Sequence, residues 1–212
     1  MRVFLPLFPL GIVAFPEEQV NLHIFEPRYR ELIGECRDFG NTFGISPYLS
    51  GKLMDIGTEM SLEKIVKVYR EGEMDIITQG QRRYKIIRFT KVVDQKLYSG
   101  AEVEFINDSS ELASWTLKEE VVHLLDEFSG ILQVEKNLHN GIQTFKAYMA
   151  GHYIGLSPSQ EYQLLSIDQE EERLLFIKEH LRRTLPRISN LHEIKKRIMM
   201  NGHFRELQSP GF

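Results

Sequence analysis

Leu5-Pro6-Leu7-Phe8-Pro9-Leu10-Gly11-Ile12-Val13-Ala14-Phe15-Pro16 is followed, three residues on, by Val20-Asn21-Leu22-His23-Ile24-Phe25-Glu26-Pro27-Arg28-Tyr29-Arg30-Glu31-Leu32. Pro6, Pro9 and Pro16 lack a backbone donor, so the first part reads as extended chain at a sheet edge or across a barrel end. Its Phe4, Leu7, Phe8, Leu10, Ile12, Val13 and Phe15 are too dense to be left in water, and most are expected in a core. Val20 to Ile24 reads as a strand. Pro27 then stands at a first helical position, and Tyr29, Leu32, Ile33 and Cys36 recur at i, i+3, i+4 and i+7, the stripe of a half-buried helix.

Outward from this stretch the pattern stays β-rich as far as residue 106. Asn41 to Ser46 reads as a strand. So do the runs holding Leu62, Ile65, Val66 and Val68, then Ile76 and Ile77, then Tyr84, Ile86, Ile87 and Phe89, then Val103, Phe105 and Ile106. Gly72, Gly80 and Gly100 punctuate them. After Asn107-Asp108-Ser109-Ser110 the period becomes helical. Leu117, Val121, Leu124, Leu125 and Phe128 share a face, and Ile142, Phe145, Met149 and Tyr153 continue the pattern beyond a turn at Asn140-Gly141. Ser157-Pro158-Ser159-Gln160 joins an N-cap serine, an N1 proline and a capping-box glutamine. Asp168 with Glu171 marks another start. Leu174, Ile177, Leu181 and Leu185 follow as a stripe that Pro186 stops, and Ile188, Leu191, Ile194 and Ile198 suggest a last helix. The expectation is an α+β chain: a β-rich domain with one helix over 3–107, then a helical domain over 108–207. The end, Leu207 to Phe212, is expected to fray.

Composition excludes several classes. The chain has 212 residues, of which 42% are hydrophobic and 26% charged, ordinary globular usage. A net charge of -4 and a pI near 6.0 argue against a generally basic nucleic-acid binder. The charge is blocked: residues 1–107 carry 14 basic and 15 acidic groups, 108–172 carry 3 and 12, and 173–212 carry 9 and 3. Acidic and basic helices solvated by their charges, and able to pack on each other, explain this; an adhesive basic tail for a partner is the sharper reading. Cys36, the only cysteine, excludes an internal disulfide and suits a reducing compartment. The longest uncharged run, Val3 to Pro16, is short of the roughly 20 residues of a membrane span, and its prolines break a signal-peptide helix. A cytoplasmic protein with no membrane association is expected.

No catalytic constellation emerges. A Gly-x4-Gly-Lys-Ser/Thr phosphate cradle is missing. Ser46 in Gly44-Ile45-Ser46-Pro47-Tyr48 and Ser157 in Gly155-Leu156-Ser157-Pro158-Ser159 lack the second glycine of a nucleophile elbow. The histidines at 23, 123, 139, 152, 180, 192 and 203 form no His-x3-His pair, and His192-Glu193 has no second histidine. Glu170-Glu171-Glu172 suits a first helical turn better than a cation. Asn107-Asp108-Ser109 matches a glycosylation sequon by chance. No enzyme activity, metal or cofactor is expected.

The opening nevertheless carries a specific pattern. Leu5-Pro6-Leu7, Val13-Ala14-Phe15-Pro16 and Leu22-His23-Ile24-Phe25-Glu26-Pro27-Arg28-Tyr29 resemble the start of the Lon-protease N-terminal substrate-recognition domain, as found in stand-alone bacterial proteins. Gly80-Gln81-Arg82-Arg83-Tyr84-Lys85-Ile86 is similar to that family's Gly-x-x-Arg-Phe-x-Ile strand, with tyrosine for phenylalanine. Tyr98 to Val103 resembles its Tyr-x-x-Ala-x-Val strand with one extra residue. Leu156, Ser157, Gln163, Leu164, Leu165, Glu172 and Arg173 match its helical segment.

The resemblance implies a twisted, six-stranded, PUA-like β-pseudobarrel followed by an α-helical bundle. It also implies a non-catalytic module that binds unfolded or damaged polypeptides, the ATPase and Ser-Lys protease domains of full Lon being missing from these residues. The candidate contacts are the apolar residues Leu10, Ile12, Val13 and Phe15, should their loop be exposed. Arg28 and Arg30 stand with Glu26 at the helix rim, where a local ion-pair cluster is favoured over client contact. The alternative is RNA binding on the PUA-like barrel, for which Arg82, Arg83 and Lys85 around Tyr84 form the only basic–aromatic cluster of the β-rich part; alternation along a strand splits these charges between faces. The helical stripes over 141–155 and 187–207 would suit a homodimer face, and packing within one bundle explains them equally well.

Overall fold

Pro6 and Pro9 hold the chain extended from Arg2 to Leu10, and this strand, β1, changes partners midway. The computed structural model describes residues 2–107, 113–132 and 141–190. In its β-rich part β1 is followed by β2 (Gln19–Ile24), α1 (Pro27–Phe39), β3 (Phe43–Leu49), β4 (Lys52–Leu53), β5 (Ile56–Val68), β6 (Met74–Thr90) and β7 (Ser99–Phe105). Arg2 to Leu7 pair antiparallel with β7, and Leu7 to Leu10 pair parallel with β3. The sheet order β1-β7-β6-β5-β3-β4, with β1 pairing back onto β3, makes the pairings run round a ring. Each half of β1 is paired on one side, which leaves an open side to which a proline's missing donor can turn.

The sheet has seven strands among the described residues, mainly antiparallel, where the resemblance implied six. Gly80 does not punctuate it. β6 runs unbroken through Gly80 for 17 residues, and the glycine is there because a Cβ would come within 2.2 Å of the Phe15 carbonyl oxygen. Gly72, at φ 84°, does make the β5–β6 turn. Tyr84 fills the ring interior in the same manner: a Cβ on Gly44 or Gly57 would lie 2.4 Å from its hydroxyl, which bonds Ser46 Oγ at 2.6 Å. Two apolar clusters result. One gathers Leu5, Leu7, Tyr84, Ala101 and Val103. The other packs α1, through Tyr29, Leu32, Ile33 and Cys36, on Phe8, Leu10, Phe43, Ile45 and Met60. Phe8 and Tyr29 stack with centroids 3.7 Å apart. The helix starts at Pro27 and ends at Gly40, whose φ of 69° gives the left-handed cap.

The chain divides into two compact units, the first running to Asn107 and the second starting at Asp108. The second unit holds α2 (Trp115–Leu132), α3 (Pro158–Ser166) and α4 (Glu170–Thr184), with 3-10 turns at Ala147–Ala150 and Leu185–Asn190. α2 buries Leu117, Val121, Leu125 and Phe128, and α4 buries Leu174, Ile177 and Leu181; the two helices pack together. Each such leucine or isoleucine contributes at most about 2–3 kcal/mol. Glu120 on α2 pairs with Lys178 of α4. Ser157 caps α3 with Gln160 in a reciprocal capping box. Arg173 is buried and ties the α3–α4 link by donating to the carbonyls of Ile167 (2.9 Å) and Asp168 (3.0 Å) and to Glu170 (3.1 Å).

Two helical expectations fail here. Residues 141–155 form turns and one short 3-10 helix rather than an amphipathic helix. Phe145, Ala147, Tyr148, Ala150, His152 and Ile154 are all buried, which no single helical stripe achieves, and Gly141 and Gly155 take positive φ. Asp168 is not the cap of α4, which starts at Glu170 after Gln169; Glu170 turns back to accept the Ala147 N–H at 2.6 Å. Ile188, the expected start of a last helix, lies instead in the 3-10 turn Leu185–Asn190; the remainder of that helix from 191, the 107–110 junction beyond Asn107, Asn140 and the Leu207–Phe212 end lie outside the described residues.

Candidate functional site

The loop after β1 is seated on the sheet by backbone polar groups. Thr58 Oγ1 donates to the Ala14 carbonyl at 2.6 Å, and the Phe15 N–H donates to Glu18 Oε2 at 2.8 Å. Glu17 N–H donates to Gly80 O at 2.9 Å and Gly80 N–H to Glu18 O at 2.8 Å. Glu17 takes φ 62° to complete the turn. These bonds bring the segment down onto β5 and β6, and Leu10, Ile12, Val13 and Phe15 are consequently buried, each 8% exposed or less. The expectation that most of this stretch is core agrees with their burial, and the condition set for client contact, an exposed loop, is not met. The four side chains are core, and what they would offer a partner is support from beneath.

Arg28 and Arg30 sit at the start of α1, half-buried. Arg28 pairs with Glu26 at 2.8 Å and lies over the Tyr29 ring, which is the local ion-pair arrangement expected there. Arg30 donates to the Glu71 carbonyl, fixing the helix start to the β5–β6 turn. Beside it, His23 of β2 bonds Asp75 of β6 at 2.7 Å, and Tyr69 donates to the other oxygen of Asp75 at 2.7 Å. Burial pushes the Asp75 carboxyl up, and the bonds from His23 and Tyr69 outweigh it, holding Asp75 below the usual carboxylate range.

A second anchor lies along α1. Glu31 and Glu35, one turn apart, take the 91–98 connection between β6 and β7. Glu31 accepts the Leu97 N–H at 3.0 Å, and Glu35 accepts from Lys96 at 2.5 Å and Tyr98 at 2.7 Å. Burial raises Glu35, and the Lys96 and Tyr98 bonds then bring it below its ordinary value. Phe39 continues the same 31, 35, 39 face. It is 74% exposed, and Leu97, held beside Glu31, is 64% exposed. The sequence pattern singles out neither: Phe39 lies past the Tyr29–Cys36 stripe, and Leu97 stands in a connection with no period. Further large apolar side chains are exposed at Val66 and Val68 of β5 and at Val92.

The basic–aromatic cluster on β6 does not form a stacking platform. Tyr84 and Arg83 are fully buried. Arg82 pairs with Glu59 at 2.7 Å and lies 3.4 Å over the Phe105 ring, so its flat face is already covered. Among the described residues, no three His, Cys, Asp or Glu side chains come together as metal ligands, and no helix is long and apolar enough to cross a membrane.

Comparison with known proteins adds a family. The substrate-binding domain of ATP-dependent protease La (Lon) matches residues 4–183. A Lon N-terminal domain protein from Xanthomonas campestris superimposes with a TM-score of 0.63 at 27% identity, over 82% of this chain and 95% of that one. The N-terminal domain of the Mycobacterium avium complex Lon protease gives 0.64 at 14% identity, over 85% and 98%, a likeness of fold. No match was found among curated proteins. The mixed α and β architecture, the opening Leu-Pro-Leu and Phe-Glu-Pro-Arg-Tyr motifs and this match agree: the chain belongs to the Lon substrate-binding domain family.

Proposed function

We propose that the chain is a non-catalytic recognition module for unfolded or damaged polypeptides, without ATPase or protease activity of its own. In this reading a PUA-like β-pseudobarrel over 3–107 and a helical bundle over 108–207 are its two domains, and it works in the cytoplasm, where the lone Cys36 stays reduced. The observation that carries the reading is the family match across residues 4–183, to a domain that binds the substrates of a protease. The geometry supports it with large apolar side chains kept in water at Phe39 and Leu97, on supports fixed by Glu31 and Glu35. Leu10, Ile12, Val13 and Phe15, being buried, would act only through the fold they support, and Arg28 and Arg30 stay candidate polar contacts at the other end of α1 from Phe39.

The test separates macromolecule classes. A fluorescently labelled, reduced and carboxymethylated polypeptide and a labelled RNA oligomer are each titrated with the protein at two salt concentrations. Saturable binding of the polypeptide that changes little with salt is expected. Binding of RNA alone, weakening steeply with salt, overturns the reading in favour of the nucleic-acid alternative.

A further inference from the structure

Two of the sheet's open strand edges among the described residues, those of β5 and β2, are built differently. β5 pairs with β3 only through Thr58 to Met60, so its outer side is open from Ser61 to Val68. That stretch has the features that protect an edge from other chains. Lys64 and Lys67 project from it, both exposed, and its register with β6 shifts twice, between Leu62 and Lys64 and between Ile65 and Lys67.

β2 has none of these. Its register with β6 runs without a shift from Gln19 opposite Gln79 to Ile24 opposite Met74, and it holds no lysine, arginine or proline. Because Gly80 N–H donates to Glu18 O, the pairing bonds alternate onto Val20, Leu22 and Ile24. The N–H and C=O groups of Gln19, Asn21 and His23 therefore turn outward. One side-chain group on this strand is also unmatched: the Asn21 Oδ1 atom is buried and accepts no hydrogen bond.

We propose that the outer edge of β2 is where an extended segment of an unfolded polypeptide adds as a further strand. The proposal rests on the polypeptide-recognition reading above and specifies how the client is held. Backbone pairing to Gln19, Asn21 and His23 reads no side chain, which suits a partner defined by being unfolded rather than by its sequence. Selection comes from the pleat. Val20, Leu22 and Ile24 put their side chains on the core face, so alternate residues of the added strand lie beside that apolar row and favour Val, Ile, Leu or Phe. The guarded edge of β5 is excluded by the same physics.

The test compares two variants of the full chain. Asn21→Pro removes the central outward N–H yet leaves the bonds to β6 in place, a position that tolerates proline. Asn21→Ala removes only the side chain. With the labelled, carboxymethylated polypeptide as probe, Asn21→Pro should weaken binding about tenfold or more, and Asn21→Ala about threefold at most. Wild-type affinity in a folded Asn21→Pro protein overturns the edge and leaves the recognition reading standing. No binding by the wild-type chain overturns both. Hydrogen exchange on the wild type gives an answer that needs no variant. The Gln19, Asn21 and His23 amides should become protected on adding the polypeptide; unchanged exchange there overturns the proposal, as does protection that rises with protein concentration alone, the mark of two copies pairing by this edge.

Discussion

Replacing Gly80 with alanine tests whether the 11–18 loop is clamped on β6. The new Cβ would stand 2.2 Å from the Phe15 carbonyl oxygen, 3.2 Å from its carbon and 3.4 Å from the Glu17 nitrogen, all backbone atoms. Carbon and oxygen in contact sit about 3.2 Å or more apart, so the loop must retreat by about 1 Å. That displacement lengthens the bonds of Glu17 N–H to Gly80 O and of Gly80 N–H to Glu18 O beyond useful range. Each contributes about 1 kcal/mol net. Partial unseating of Phe15, now 1% exposed, adds about 1–2 kcal/mol. Alanine returns about 0.5–1 kcal/mol through the lower entropy of its unfolded chain. The expected net loss is about 2–3 kcal/mol, which at a urea slope near 2 kcal/mol/M lowers the unfolding midpoint by about 1–1.5 M. Urea titration followed by far-UV circular dichroism reads it. A Gly80→Ala protein as stable as wild type, or more so, would show that the loop does not rest on β6 and that Leu10 to Phe15 are free after all.

Three further perturbations follow from the geometry. Burial first, and then the Glu35 charge, push the Cys36 thiol up to about 12. The native thiol should resist an aromatic disulfide reagent at pH 8, and stability should be full below the unfolded value near 8.5 and fall as pH rises toward 12; rapid labelling of folded protein contradicts this. Burial lowers His180, whose Nε2 is bonded to the Ile154 carbonyl, so protonation favours the unfolded state. Stability from this group is complete above about pH 6.5 and is lost as pH falls below it; His180→Gln should flatten the change in Tm between about pH 7 and pH 5, and an unaltered slope refutes the assignment. Phe39→Ser with Leu97→Ser should weaken unfolded-polypeptide binding severalfold and keep folding stability within about 0.5 kcal/mol, the usual range of surface changes; unchanged affinity removes this patch from the account.

Features set by neighbours in the chain were legible in the sequence. Pro27 with the Tyr29–Cys36 stripe placed α1, and Ser157 with Gln160 placed the start of α3. Features set by distant contacts were not. Gly80 reads as a strand break until Phe15, 65 positions earlier, is known to touch it. The spacing of Ile142, Phe145, Met149 and Tyr153 fits a helix, but 141–155 folds as turns and a short 3-10 helix, with Gly141 and Gly155 at positive φ. The candidate site suffered from the same limit. Composition marks Leu10 to Phe15 and Phe39 as apolar alike, and only the bonds of Thr58, Gly80 and Glu18 decide that the former are core and the latter faces water.

Selectivity for the unfolded state is the central claim, and one pair of titrations tests it most directly. A single-chain, disulfide-bonded protein is labelled at one site and offered to the full chain first in its native form and then reduced and carboxymethylated. The account predicts saturable binding to the unfolded form and none to the native form at the same concentrations. Equal binding to both forms, or binding to neither, would contradict it.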